Sequence, residues 1–166
     1  NKKIMIGSQN CYQKEQFSSN TAAISPYMIR SVGAKYTLIG HSDNRGEGDT
    51  DTMLKDKVKF ALKSNLKVVF CIGENKIQKN SNQTFSVLKK QLTKVLEKQF
   101  NKNNIIVAYE PIWSIGTGKI PSQKDLLKTI IHIKKVLKNI FAKNSPAVLY
   151  GGSVDENNVY MFKQTK

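Results

Sequence analysis

Glu110 closes an apolar run, Ile105 to Tyr109, and opens a loop that starts stiffly and ends loosely. Pro111 fixes the backbone just after the acid, Trp113 adds bulk, and Gly116 and Gly118 bracket Thr117. A carboxylate held at the rigid end of a buried strand is how a general base is built. A loop that can swing over it would exclude water from the reacting atoms. On this pattern the lid comprises Pro111, Ile112, Trp113, Gly116, Thr117, Gly118 and Lys119, with Lys119 as a hinge rather than a reactant. The same residues also suit an ordinary strand-to-helix turn with a chance carboxylate. The local pattern alone leaves both readings open.

Polar chemistry recurs after other apolar runs. Gln9-Asn10-Cys11 follows Ile4-Met5-Ile6, and Gly40-His41-Ser42 follows Tyr36 to Ile39. Gly73-Glu74 follows Val68 to Ile72, and Gly151-Gly152-Ser153 follows Ala147 to Tyr150. The five runs are short and continuous rather than alternating, as expected of parallel strands covered on both faces. Amphipathic segments lie between them, with apolar residues at helical spacing around Met53 to Leu62, Phe85 to Leu96 and Leu126 to Ile140. Ser25-Pro26 and Ser122 are helix starts, and Asp155 is expected to open the last helix. His132 falls inside a helix and is expected to be an ordinary boundary histidine. Asn10 and Glu74 are expected to be structural or surface residues. Strand-helix repetition of this kind specifies an α/β fold with a parallel sheet and right-handed crossovers. Nothing low in complexity divides residues 1–166, so a single domain is expected.

The formal charge is +15, with 27 basic residues against 12 acidic ones. Only Arg30 and Arg45 are arginines, and the lysines are spread over every helical segment. Nucleic-acid surfaces cluster their charge and interleave aromatics. A solvated lysine-rich surface is the better reading, so no nucleic-acid partner is expected. No run approaches the roughly 18–20 apolar residues of a membrane span, and no membrane partner is expected. Cys11 and Cys71 show no metal-binding spacing and are expected to be buried free thiols of a cytoplasmic protein, with a disulfide as the alternative that nothing in the sequence supports.

The five strand-end segments, taken together in their order and spacing, resemble triosephosphate isomerase from its third strand to its seventh helix. The resemblance covers essentially the whole chain. It implies a TIM-type (β/α) barrel, incomplete here at about five strands, with chemistry at the carboxyl ends of the strands. It implies interconversion of dihydroxyacetone phosphate and glyceraldehyde 3-phosphate through an enediolate, in glycolysis and gluconeogenesis. Glu110 is then the base and His41 the electrophile that polarises the carbonyl. Asp43 belongs to the active-site network. Gly116, Gly152 and Ser153 offer the substrate phosphate a place to bind. The family uses no metal and no organic cofactor. Its members form homodimers. His41 and Glu110 are expected on adjacent strands, facing a common cavity.

The departures from the family pattern carry their own expectations. The family's first two strands, with a phosphate-binding Lys, and its last strand have no counterpart in this sequence. Lys2 and Lys3 precede a strand and so stand at the wrong end of the sheet to replace that Lys. Five strands do not close an eight-strand barrel, and open edges invite pairing. Either the residues belong to a longer polypeptide, which a starting Asn1 favours, or the chain assembles with a copy of itself. A non-catalytic, self-assembling module that keeps phosphate binding is the alternative function. Ala23 and Asn44 stand where the family has a Glu–Arg pair between subunits, which predicts an altered dimer contact, although Thr21 is retained. Asp43 stands where the family has Glu, one methylene longer, which predicts slower catalysis.

Overall fold

The computed structural model describes residues 4–15, 19–142 and 145–162, so Lys2 and Lys3 lie outside the described residues. Among the described residues, five strands form one parallel sheet: β1 (Gly7–Ser8), β2 (Tyr36–Ile39), β3 (Lys67–Ile72), β4 (Ile105–Tyr109) and β5 (Ala147–Tyr150). Their spatial order is their chain order, β1-β2-β3-β4-β5. A doubly wound sheet reverses order at a switch point, whereas a barrel adds each strand beside the last. The fold is therefore α/β of the partial barrel type.

Helices fill the crossovers. They are α1 (Pro26–Ser31), α2 (Ser42–Gly46), α3 (Asp51–Lys63), α4 (Lys76–Asn80), α5 (Thr84–Val95), α6 (Gln123–Phe141) and α7 (Val159–Phe162). The expected starts hold where the caps are side chains. Ser25 accepts from the Met28 amide with Pro26 in the first turn, and Ser122 accepts from the Asp125 amide. Asp155 caps a turn instead, accepting from the Asn157 and Asn158 amides, and the α-helix begins only at Val159.

The core lies between sheet and helices. Val68, Phe70, Ile105 and Val107 from β3 and β4 meet Leu54, Val58 and Ala61 of α3, Leu88 and Leu92 of α5, and Ile133 and Leu137 of α6. All except Ile105, at 2 %, have no solvent exposure. Side chains of this kind are each worth about 1.5–3 kcal/mol when fully buried, so β3 and β4 form the rigid centre from which the site projects. No helix among the described residues is long and apolar enough to cross a membrane.

The first strand differs from the sequence expectation. Ile4, Met5 and Ile6 are 92 %, 62 % and 69 % exposed and unladdered, apart from the Ile6 carbonyl, which takes the Lys35 amide at 2.8 Å. The ladder begins one residue later, at Gly7 opposite Tyr36. A Cβ at Gly7 would stand 2.9 Å from the Tyr36 Cβ, so the missing side chain permits the pairing. Apolar content located the segment but not its register.

Candidate active site

Glu110 is placed by backbone contacts on both sides. Its amide donates to the Ile72 carbonyl at 2.8 Å, which ties the end of β4 to the end of β3. The two chains touch so closely that a Cβ on Gly73 would lie 1.9 Å from the Glu110 carbonyl oxygen. The side chain then passes under Gly151, where a Cβ would lie 2.7 Å from Oε1. Two glycines thus shape the slot in which the carboxylate sits.

His41 follows β2 and caps α2. Its Nδ1 accepts from the Asp43 amide at 3.3 Å, and the Asp43 Oδ2 stands 3.4 Å from the same nitrogen. The two contacts demand opposite roles, since the amide needs a lone pair on Nδ1 and the carboxylate needs a proton there. The amide is a fixed donor, whereas the Asp43 side chain is 80 % exposed and solvated. The amide contact therefore decides the tautomer, and Nε2 carries the proton. That nitrogen faces Glu110, with Nε2 to Oε2 at 3.7 Å. Oε2 is itself buried and has no hydrogen-bond partner.

Histidine and acid thus share one rim of a parallel sheet, as expected. They are not on adjacent strands, because β3 lies between β2 and β4. None of the three cavities described is lined by both side chains. The space beneath Glu110 measures only about 10 Å³, room for one water at most, and is bounded by Ser42, Arg45, Cys71 and Gly73 but not by His41. The side chains converge above β3 rather than within the sheet. Arg45 holds the convergence, donating to the Gly40 carbonyl at 2.8 Å and to the Cys71 carbonyl at 3.3 Å.

The segment expected to form a lid begins at Pro111 and folds at once into a 3-10 turn, Ile112–Ser114. Trp113 is held on two sides. Its indole N–H donates to Glu74 Oε1 at 2.9 Å, and the Lys79 ammonium lies 3.3 Å from the ring centroid. Glu74 is 1 % exposed and also accepts from the Tyr109 hydroxyl, so it is structural, and buried rather than superficial. A cleft of about 390 Å³ lies on this side, lined by Lys79, Phe85, Trp113 and Lys128, and contains neither His41 nor Glu110. His132 stacks on Phe85 at 4.5 Å, an ordinary boundary role.

Gly116 and Gly118 both take positive φ, at 67° and 69°, which an L side chain rarely adopts. The Gly118 amide donates to Ser153 Oγ at 3.2 Å, joining this segment to the loop after β5. Gly152 and Ser153 also take positive φ in that loop. The sequence reading missed Ser114 and Tyr150. Ser114 has no solvent exposure, and its hydroxyl meets both the Lys119 carbonyl and the Tyr150 hydroxyl. No signal in the chain marks a serine as buried when its partners lie elsewhere in the sequence. Among the described residues no group of three or more His, Cys, Asp or Glu gathers that could hold a metal ion.

A family model described as triosephosphate isomerase matches residues 1–166. The chain belongs to the triosephosphate isomerase family. It is 37 % identical over 161 residues to triosephosphate isomerase of Alkaliphilus oremlandii, covering 93 % of this chain and 64 % of the relative. It is 39 % identical over 164 residues to that of Dehalococcoides mccartyi, covering 96 % and 63 %. It is 36 % identical over 164 residues to that of Saccharomyces cerevisiae, covering 96 % and 66 %. The chain spans just under two thirds of the length of these curated relatives. At the positions where triosephosphate isomerase is expected to pair its subunits, Thr21 is exposed and Ala23 and Asn44 are half-buried and uncharged.

Proposed function

We propose that this protein is a triosephosphate isomerase acting on dihydroxyacetone phosphate and glyceraldehyde 3-phosphate. The observation that carries the proposal is the convergence of His41 Nε2 and Glu110 Oε2 at 3.7 Å, on one rim, with Oε2 buried and unpartnered. A buried carboxylate oxygen that lacks a donor is poised to take a proton.

Glu110 removes a proton from the carbon next to the carbonyl. The C–H electron pair becomes the C=C of an enediolate, and the carbonyl oxygen takes up the negative charge. His41 donates its Nε2 hydrogen bond to that oxygen where charge develops. The hydroxyl proton on the first carbon passes to the oxygen of the second by way of His41 Nε2, and Glu110 returns its proton to the second carbon as the first C–O becomes the new carbonyl. One carbon is oxidised as the other is reduced, so the reaction is redox-balanced within the substrate and calls for no redox cofactor. The lid, residues 111–119, covers the enediolate and keeps water out. Loop closure in this family is itself a standard instance of such gating. The Gly116 backbone and the loop of Gly152 and Ser153 receive the phosphate, and their glycines let backbone approach the anion. Asp43 serves the site through its backbone amide, which holds Nδ1 of His41 as an acceptor.

Residues 1–166 are proposed as a single barrel-type domain. The protein is proposed as a homodimer with an altered contact, because Ala23 and Asn44 replace a charged pair together and leave no buried ion alone. A cytoplasmic setting in glycolysis and gluconeogenesis suits the two free, buried thiols.

A coupled assay of triose phosphate isomerisation on the intact native protein tests the proposal. Turnover that disappears in Glu110→Gln supports it. An intact protein without turnover overturns it.

A further inference from the structure

The lid contains one buried polar group that the proposed reaction does not use. Ser114 sits at the end of the 3-10 turn with no exposure. Its Oγ donates to the Lys119 carbonyl at 2.5 Å, at the far end of the lid. The same Oγ lies 3.2 Å from the Tyr150 hydroxyl, at the end of β5. The Ser114 carbonyl accepts from Ser153 Oγ at 2.6 Å, and Ser153 Oγ accepts from the Gly118 amide at 3.2 Å. One residue thus joins both ends of the lid and the loop after β5.

The hydroxyl proton can go to only one acceptor. With the Ser114 proton on the Lys119 carbonyl, Tyr150 donates to Ser114 Oγ, and the chain of donors runs in one direction: Tyr150, Ser114, Lys119. Burial pushes the Tyr150 hydroxyl up, which keeps its proton in place for that role. Gly152 fits closely against this arrangement, since a Cβ there would stand 3.2 Å from Ser114 Oγ.

We infer that Ser114 is a positioning residue that holds the lid docked over Glu110, acting through the Lys119 carbonyl and the Tyr150 hydroxyl. Its hydroxyl meets Lys119 and Tyr150, and neither His41 nor Glu110. The inference rests on the proposed isomerase activity for its catalytic consequence, and on hydrogen bonding alone for its structural one.

The test uses Ser114→Ala in the intact protein. Removing the hydroxyl leaves the backbone acceptor of Ser114 in place but unties Lys119 from Tyr150. Cleavage of the lid by a protease should accelerate about fivefold, the scale of one net hydrogen bond. In the isomerase assay KM should rise by about the same factor. Release of inorganic phosphate per isomerisation should also rise, because an uncovered enediolate expels its neighbouring phosphate when the C–O bond breaks. Tyr150→Phe should give the same direction, and the double variant should fall short of the sum of the two. A Ser114→Ala protein with unchanged lid cleavage, KM and phosphate release overturns the inference. Should the native protein lack isomerase activity, the proposed function fails, and lid cleavage still decides the role of Ser114.

Discussion

His41 and Glu110 meet at 3.7 Å although β3 separates the strands that carry them. Gly73, the first residue beyond β3, lets the Glu110 backbone press against that strand end, where a Cβ would lie 1.9 Å from the Glu110 carbonyl oxygen. The close seam between β3 and β4 therefore sets where the carboxylate stands.

Replacing Glu110 by Gln separates function from stability. The amide no longer takes a proton, so turnover should fall roughly 10²–10⁴-fold. Gln keeps the shape of the side chain beneath Gly151, so the packing of the strand end should survive. The expected outcome is an inactive protein with a urea midpoint close to that of the native protein.

The two glycines around Glu110 should respond differently to alanine. A Cβ at Gly73 meets backbone at 1.9 Å, which cannot move without parting β3 from β4. Gly73→Ala should cost about 3 kcal/mol or fail to fold. A Cβ at Gly151 meets the Glu110 side chain at 2.7 Å, which can turn aside. Gly151→Ala should retain most of its stability and lose activity by displacing the carboxylate. Urea titration beside the isomerase assay distinguishes the two.

Glu74 and Lys79 hold Trp113 by different means and should differ in cost. Glu74→Ala strands the Tyr109 hydroxyl and the indole N–H in a buried setting, at roughly 3 kcal/mol. Lys79→Ala removes a half-exposed cation from the ring face, at about 0.5–1 kcal/mol. Denaturant midpoints give both values.

Stability should fall steeply in alkali. Burial pushes the Cys11 thiol up to about 12, from an ordinary value of 9.0. Burial does the same to Cys71, again to about 12, with the Glu110 carboxylate adding to the effect. Between about pH 9 and 12 the unfolded chain loses these protons while the folded chain keeps them. The unfolded state then binds fewer protons, so stability declines with pH, by at most about 1.4 kcal/mol per unit for each thiol. Below pH 9 the two thiols contribute their full stability. Cys11→Ala and Cys71→Ala should each flatten the decline seen in urea midpoints between pH 8 and 11.

Much of this architecture was legible in the chain because β3 and β4 are continuous apolar runs and α3, α5 and α6 keep strict helical spacing. The caps Ser25 and Ser122 were legible for the same local reason. Ile4 to Ile6 misled, because apolar character cannot say where a ladder begins, and Gly7 decides that by letting Tyr36 approach. The short helices α2 and α4 escaped notice because neither has an apolar face to repeat. The candidate base and its histidine were visible as residue types at strand ends, but the strand between them was not. Ser114 was invisible, since its meaning comes from Lys119 and Tyr150.

The chain has a single tryptophan, Trp113, and it stands at the near end of the proposed lid. Its N–H rests on a carboxylate and its ring face lies under an ammonium. An indole between opposite charges shifts its emission when either one moves. The protein therefore carries its own optical gauge, one that follows the loop in solution without a dye or an added label.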